Sequence, residues 1–310
     1  MVQKLLTCPV ILATFIGFAG CDLEALGESR RFKEEFHQSY DLKPGSRVSV
    51  ESFNGSVEIV GWDKNSVEIS GTKYAATEDL LAAIRVDIVP GEDAVRVRAV
   101  RPVERGGNMG CSFVIRVPSS TDLDRIDSSN GSIRIENVNG SARLRTSNGA
   151  IRVNGLRGEI DAATSNGSVD LQGFDGSAVV RTSNGRIRAD RVRGHLEATT
   201  SNGGIEARLD DPAPNRPVKL NTSNGSIQLT LDGQAAPEVR ASTSNATITV
   251  RMPESLGAQV QAVTSNGSIT SELDVTGKVR TKNRLEGAVG AGGSLLDLRT
   301  SNGSIRLLRL

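Results

Sequence analysis

Apolar and polar residues alternate along most of the chain, and the alternation restarts at regular intervals around an asparagine. After Asn130, for example, Ile133 and Ile135 are apolar and Arg134 between them is charged. A period of two is typical of half-buried strands and not of helices. The pattern therefore predicts an all-β chain of short strands, each with one side on a core and one side in solvent.

A Ser-Asn-Gly motif, in its fullest form Thr-Ser-Asn-Gly-Ser-Ile, marks each restart. Its asparagines are Asn130, Asn148, Asn166, Asn184, Asn202, Asn224, Asn245, Asn266 and Asn302. Their spacings are 18 residues four times, then 22, 21, 21 and finally 36, which is twice 18. A fixed period of this length is typical of a solenoid, in which each repeat buries its apolar side on its neighbours. We predict a single-stranded β-solenoid (β-helix) of roughly 18–22 residues per rung, with right-handed coiling.

The Asn-Gly pair predicts a sharp corner between two strands, because Gly adopts positive φ freely and Asn tolerates it. The alternation places the Asn and the Thr two residues before it on the inward side. Stacked rungs would then bring Asn above Asn every ~4.8 Å and form a hydrogen-bonded amide ladder. Asn54, which is also followed by Gly, would belong to the same ladder.

A second corner is predicted on the opposite side of each rung, at Gly140, Gly158, Gly176 and Gly194. Longer loops replace it in later rungs. One rung between Asn266 and Asn302 lacks the motif, and residues 281–285 are its expected degenerate copy. The regular solenoid is assigned to residues 128–310.

Residues 37–127 carry strand patterns without a visible period. They are interpreted as irregular, wider rungs of the same solenoid, since Asn54-Gly55 is flanked by the same apolar positions as later motifs. The alternative is a small β-sandwich at this end.

The N-terminus has the pattern of a bacterial lipoprotein signal. A short basic start and an apolar run end in Phe18-Ala19-Gly20-Cys21, which resembles a lipobox. We assign residues 1–20 to the signal peptide, Cys21 to lipidation and residues 21–36 to a tether or a short helix. The chain would then be anchored in the cell envelope, on either the inner or the outer membrane, facing the periplasm or the exterior. A plain signal peptide with an incidental Cys21 is the alternative.

Composition limits the chemistry. The formal net charge is +1, so bulk charge does not indicate a polyanionic partner, and no nucleic acid partner is expected. Metal-ligand spacing is absent, and no cofactor or metal is expected. With Cys8 in the signal peptide and Cys21 acylated, Cys111 is the one remaining thiol, and a buried structural role is expected for it.

The residues from Asn54 to Asp63, the Phe113–Pro118 strand and the tandem Ser-Asn-Gly-x-Ile rungs resemble the bacterial putative-adhesin domain, also called toastrack. The resemblance covers nearly all of the chain after the signal peptide. It implies a β-solenoid on an envelope-anchored protein, with no catalytic residues to carry over.

Two functions remain open. The first is a non-enzymatic scaffold, an adhesin or envelope-stress protein, that binds an envelope protein, a glycan or a cell-wall component; open rung ends would also allow end-to-end self-association. The candidate surface is outward arginines in two columns: Arg134, Arg152 and Arg188 in one, and Arg143, Arg145 and Arg181 in the other. These arginines would otherwise only keep a strand surface soluble.

The second function is a carbohydrate-active β-helix enzyme acting on envelope or extracellular polysaccharide, which would need paired carboxylates on adjacent rungs. Asp161 and Asp170 are the nearest approach to such a pair, while His37 and His195 are far apart in sequence. Ice binding through a threonine array is disfavoured, because the repeated threonines are predicted to point inward. No catalytic residue is assigned, and the chain is expected not to be an enzyme.

Overall fold

The computed structural model describes residues 32–102, 107–213, 216–233 and 236–310. Within them, 26 strands form one continuous sheet, with one short helix, α1 (Glu78–Ala83). The predicted all-β solenoid is confirmed. None of the described helices has the length and apolar character needed to cross a membrane. The predicted signal peptide, Cys21 and residues 22–31 lie outside the described residues.

In chain order the strands are β1 (Phe32–Asp41), β2 (Arg47–Ser52), β3 (Val57–Trp62), β4 (Ser66–Ala75), β5 (Arg85–Pro90), β6 (Ala94–Val100), β7 (Met109–Pro118), β8 (Asp122–Ser128), β9 (Ile133–Glu136), β10 (Ala142–Thr146), β11 (Ile151–Asn154), β12 (Arg157–Ala163), β13 (Val169–Gln172), β14 (Asp175–Arg181), β15 (Ile187–Thr199), β16 (Ile205–Pro212), β17 (Val218–Asn221), β18 (Ile227–Leu231), β19 (Val239–Thr243), β20 (Ile248–Met252), β21 (Ala258–Thr264), β22 (Ile269–Ser271), β23 (Val275–Arg280), β24 (Arg284–Val289), β25 (Leu295–Thr300) and β26 (Ile305–Arg309). A single 3₁₀ turn (Glu254–Leu256) precedes β21.

Each rung with an Asn-Gly corner has a strand segment before the corner and one after it. Strand β15 supplies two such segments, one after the Asn184 corner and one before the Asn202 corner. The strands before the corner, such as β8, β10 and β12, pair in parallel and form the leading face. Those after it, such as β9, β11 and β13, form the trailing face. Pairing is in register, so Ile133, Ile151 and Val169 stack directly above one another. A rung is named below by its corner asparagine.

The core is a narrow column of stacked inward side chains between the two faces. Positions such as Leu144, Ile151 and Val180 are fully buried, and Phe113 and Phe174 are the largest buried side chains. Burying one Val, Leu or Ile side chain stabilises the fold by about 1.5–3 kcal/mol, so every rung adds several such contributions. A rung gains these contributions only when a neighbouring rung covers its apolar side chains.

Buried threonines join consecutive rungs at the Asn-Gly corner. The Thr146 hydroxyl donates to the carbonyl oxygen of Gly131 in the preceding rung at 3.0 Å. It also accepts from the backbone N–H of Gly149 in its own corner at 3.2 Å. The same pair of bonds recurs at Thr164, Thr182, Thr200, Thr222, Thr264 and Thr300. Each hydroxyl therefore satisfies one buried acceptor and one buried donor.

The corner asparagines point outward, so the predicted inward orientation is wrong. Asn148 is exposed while Thr146, two residues earlier, is buried. The chain bends at the serine between them, and this bend breaks the alternation that the prediction extended through the corner. The asparagine side chains nevertheless stack, as described below.

The glycine of the corner is needed for close packing and not for positive φ, which corrects the sequence-based reason. Of the glycines that directly follow a ladder asparagine, only Gly55 has positive φ, at 127°. A Cβ built on Gly149 would lie 1.8 Å from the Gly131 carbonyl oxygen. One rung has Ala246 at this position. Its Thr243 hydroxyl donates to the Gly225 carbonyl oxygen at 3.0 Å, but among the described residues it accepts no bond from the Ala246 N–H.

The second corner lies where the sequence predicted it. Gly140, Gly158, Gly176 and Gly194 have φ between 106° and 156°, which a side chain would disfavour. Three residues earlier a second column of left-handed residues opens this corner, at Asn137, Gly155, Gly173 and Arg191.

At the N-terminal end, spatial order differs from chain order. The Asn54 rung (β2 and β3) lies between the rung of β6 and β7 and the Asn130 rung. Strands β1 and β4 extend the trailing face beyond β7 in antiparallel pairing, and β5 pairs with β6 in the same way. Residues 32–36, predicted as part of a tether, are instead the first half of β1 and pair with residues 71–75.

At the C-terminal end, the last rung in sequence is inserted between two earlier ones. Strand β25 pairs with β19 on one side and β21 on the other, and β26 lies between β20 and β22. The Asn302 rung is therefore internal, and the Asn266 rung is the outer one. Residues 281–285 do not form a degenerate rung: they belong to the hairpin of β23 and β24, which covers β21 in antiparallel pairing.

Candidate binding faces

The exposed corner carries a continuous ladder of asparagine amides. Each Nδ2 donates to the Oδ1 of the preceding rung at 2.5–2.8 Å, always in the same direction along the solenoid. The spatial order is Asn54, Asn130, Asn148, Asn166, Asn184, Asn202, Asn224, Asn245, Asn302 and Asn266. At its start, the Asn54 amide donates to the Met109 carbonyl oxygen at 3.0 Å. The ladder joins ten corner asparagines by nine side-chain hydrogen bonds.

The three leading-face arginines predicted to form one column, Arg143, Arg145 and Arg181, lie in two neighbouring columns. Arg145 and Arg181 are aligned through Ala163, whereas Arg143 is aligned with Asp161. Residues two apart on a strand share a side but lie in neighbouring columns, which is why the three do not align.

These leading-face arginines are paired within the chain. Both Arg145 and Arg181 bind the Asp161 carboxylate, Arg181 at 3.3 Å, and the small Ala163 between them leaves room for this. Arg143 lies 3.7 Å from Asp124. Exposed pairs contribute only about 0–1 kcal/mol each to stability. Their main effect is that little positive charge is left for a partner.

Further ion pairs continue along the leading face: Arg98–Glu51, Arg125–Glu51, Arg125–Asp127, Lys219–Glu197, Arg240–Glu238 and Arg299–Asp297. Hydrogen bonding and attraction from Asp127 raise the pKa of Arg125, so this guanidinium stays charged. The leading face is largely self-neutralised.

The predicted column on the trailing face is present but interrupted. Arg134, Arg152, Asp170 and Arg188 lie side by side on consecutive strands, so a carboxylate separates the last two arginines. Arg134 pairs with Glu136 at 3.3 Å. Among the described residues, neither Arg152 nor Arg188 has a carboxylate within ion-pairing distance, and both are exposed.

A polar depression of about 250 Å³ lies on the trailing face beyond Arg188. Its rim and floor include Arg188, Glu206, Gln228, Thr249 and Arg251. Sequence reasoning missed Arg251 and its neighbour Thr230, because it followed only the column four residues after each Asn. The second outward column, six residues after each Asn, was visible in the same pattern.

The two carboxylates considered as a catalytic pair, Asp161 and Asp170, lie on different faces of the solenoid. Asp161 is on β12 of the leading face, and Asp170 is on β13 of the trailing face, where it accepts from the Ser168 hydroxyl at 3.2 Å. The described residues contain no cluster of three or more His, Cys, Asp or Glu side chains that could hold a metal ion.

The two histidines are also separate. His37 Nδ1 lies 3.0 Å from the Ser70 hydroxyl on the β1–β4 pair. His195 is half-buried on β15, and its Nδ1 has no hydrogen-bond partner. Burial, followed by repulsion from Arg216, lowers the pKa of His195.

Cys111 lies on β7 and is fully buried. Burial raises the pKa of its thiol to about 12, although the positive charge of Lys73 acts to lower it. A thiol in this state is not a nucleophile. It fills core volume.

Comparison with known proteins finds similarity among solved structures only. No family model matches the chain, and no curated protein matches it. The solved structures that resemble it are described as putative adhesins or cell adhesion proteins. A putative adhesin from Parabacteroides merdae ATCC 43184 has 11% identity and a TM-score of 0.43, over 89% of this chain and 96% of that one.

Two others cover similar lengths. A putative adhesin from Bacteroides fragilis NCTC 9343 has 13% identity and a TM-score of 0.34, over 89% of this chain and 97% of that one. A putative cell adhesion protein from Clostridium sporogenes ATCC 15579 has 12% identity and a TM-score of 0.24, over 89% of this chain and 100% of that one. The fold itself rests on the strand pairing given above.

Proposed function

We propose that this protein is a non-enzymatic, lipid-anchored component of the bacterial cell envelope, whose trailing face binds another envelope component. The observation that carries the proposal is the difference between the faces. Arg143, Arg145 and Arg181 of the leading face are paired with carboxylates of the same chain, whereas Arg152 and Arg188 of the trailing face are exposed and unpaired among the described residues. Adhesion, the role named in the descriptions of the similar structures, would be one form of such binding.

Rigidity supports a binding role. The asparagine ladder and the buried threonine bonds fix the spacing between rungs, so side chains on a face are held in place before a partner arrives. Preorganisation of this kind lowers the entropic cost of binding. Extended solenoid faces also bind without a deep pocket.

The anchor rests on the sequence of residues 18–21. If Cys21 is acylated, residues 22–31 separate the lipid from β1, and ten residues reach at most about 35 Å. The solenoid would therefore stay close to the membrane. Replacing Cys21 by Ser should leave unprocessed precursor and abolish labelling by a fatty-acid probe. Equal labelling of wild type and variant would refute the anchor.

The binding face is tested with two matched triple variants. Arg134, Arg152 and Arg188 are replaced by Ser in one, and Arg143, Arg145 and Arg181 in the other. We expect the first to weaken co-sedimentation with isolated cell envelopes and to reduce its dependence on salt. The second should bind like wild type, because those charges are already neutralised. Equal binding by both variants, with unchanged circular dichroism, would contradict the proposal.

A further inference from the structure

The trailing-face depression crosses four adjacent strands. Arg188, Glu206, Gln228 and Thr249 occupy one register column across them, and Arg251 lies two residues beyond Thr249. Three strand intervals of ~4.8 Å place the two arginines at opposite ends, about 14 Å apart along the solenoid. The depression is thus an elongated site, longer than a single small anion.

The charged groups of the depression are not equally available. Arg208 is held by Asp210 at 3.3 Å and by Asp232 at 3.1 Å, and Asp190 lies 3.9 Å from Arg191. The remaining charged lining residues are Arg188, Arg251 and Glu206, and none of them has an ion-pair partner among the described residues. Two guanidinium groups and one carboxylate are therefore free to bind a ligand.

Neutral hydrogen-bonding groups lie between the two free arginines. Gln228, Thr230 and Thr249 line the depression, and in the part of the chain that the structure describes their side chains form no hydrogen bond. The lining contains no aromatic side chain, and its three apolar members are Ala189, Ala207 and Leu229. An apolar ligand would find almost nothing to contact.

This combination matches one ligand chemistry. Arginine binds carboxylates through two parallel N–H···O bonds, and amide, hydroxyl and carboxylate side chains bind sugar hydroxyls. A ligand with carboxylates at intervals along a hydroxyl-rich chain would use both arginines and the groups between them. We propose that this depression binds a uronic-acid polysaccharide. The proposal rests on the proposed function and names its ligand class.

The net charge of +1 does not oppose this ligand. Binding depends on where the uncommitted charges lie, and Glu206 beside Arg188 would accept hydrogen bonds from sugar hydroxyls. Glu206 also disfavours a densely charged polymer such as a polysulfate, because repulsion from a carboxylate would act on every bound segment.

Calorimetry of the mature full-length protein in detergent tests the proposal. The ligands are polygalacturonate, its methyl ester and dextran sulfate. We expect polygalacturonate to bind, and the ester, which keeps the hydroxyls but lacks the charges, to bind at least about tenfold more weakly. Binding of the ester as tightly as the acid, or tighter binding of dextran sulfate, would overturn the proposal.

Two double variants locate the site. Arg188→Gln with Arg251→Gln should weaken polygalacturonate binding by about tenfold. Arg143→Gln with Arg181→Gln removes the same charge from the leading face and should change it less than twofold. Equal losses would refute the site. If wild-type protein binds envelopes through the trailing face but not polygalacturonate, the ligand class is wrong and the proposed function stands.

Discussion

Asn302 Nδ2 donates to Asn245 Oδ1 at 2.8 Å, although 57 residues separate the two in sequence. Asn266, only 21 residues after Asn245, bonds to Asn302 and not to Asn245. The last rung in sequence is thereby held on both sides. Strands β25 and β26 have parallel partners above and below, whereas β22 pairs with β26 alone. We therefore expect substitutions in the internal Asn302 rung to destabilise the fold more than the same substitutions in the outer Asn266 rung.

Alanine substitutions in the ladder test the order directly. Asn166→Ala and Asn302→Ala each break two amide bonds, while Asn266→Ala breaks one. Water can reach the exposed partners, so we expect losses of about 0.5–1.5 kcal/mol for the first two and less for Asn266→Ala. Denaturant melts give the values. If Asn302→Ala were as mild as Asn266→Ala and clearly milder than Asn166→Ala, the inserted rung would be wrong.

A buried threonine should matter more than an exposed asparagine. Thr182 donates to the Gly167 carbonyl oxygen and accepts from the Gly185 N–H. Thr182→Val keeps the shape but leaves two buried backbone groups without partners, at about 1–3 kcal/mol each. We therefore expect a loss of about 2–6 kcal/mol in the free energy of unfolding.

Thr182→Ser is the matched control. It keeps the hydroxyl and removes one methyl group, which costs roughly 0.8 kcal/mol. Ser128 already forms both bonds in the Asn130 rung. Equal destabilisation by Val and Ser would show that packing, and not the hydroxyl, determines the effect.

The thiol of Cys111 should be inert in the folded protein. Its pKa of about 12 leaves almost no thiolate near neutral pH, and the side chain is fully buried. We expect no maleimide labelling of the native protein and complete labelling in guanidinium chloride. Peptide mapping separates this site from Cys21. Rapid labelling of the native protein would contradict the burial.

His195 should make stability depend on pH in the mildly acidic range. Its pKa is lowered in the folded state, chiefly by burial and by Arg216, with Lys219 adding to and Glu197 opposing the shift. Above the unfolded pKa of about 6.5 both states are neutral. As pH falls below it, the unfolded state binds a proton first, so stability decreases until the folded pKa is reached.

His195→Gln should remove this component. The thermal midpoint of wild type should fall more than that of the variant when pH is lowered from about 7 to about 5.5. Parallel pH dependence of the two proteins would mean that His195 titrates normally in the folded state.

The strand pattern and period predicted the fold class because both follow from local physics. Alternation at Ile133 and Ile135 reports which side of a strand is buried, and the 18-residue interval reports the length of a rung. The direction of Asn148 was mispredicted because the alternation cannot be carried across a corner, where the backbone leaves the extended conformation.

Pairing between distant rungs was not predictable from the repeat. The motifs around Asn245, Asn266 and Asn302 are nearly interchangeable, so each could stack on either of the others, and sequence order suggested the wrong neighbour. The ion pairs between charged side chains on the faces were equally unpredictable from the sequence. Asp161 binds Arg145 and Arg181 from two neighbouring rungs, and only the register across Ala163 reveals that arrangement.

The inserted rung also has a consequence for how the protein is made. If the chain is exported from its N-terminal end, the motif of residues 258–271 emerges before β25 and β26 and can pair directly on β19 and β20. Native pairing requires β25 and β26 to enter that interface, so the solenoid cannot be completed by adding rungs in the order of synthesis. We expect maturation to end with a post-translational rearrangement of the C-terminal rungs.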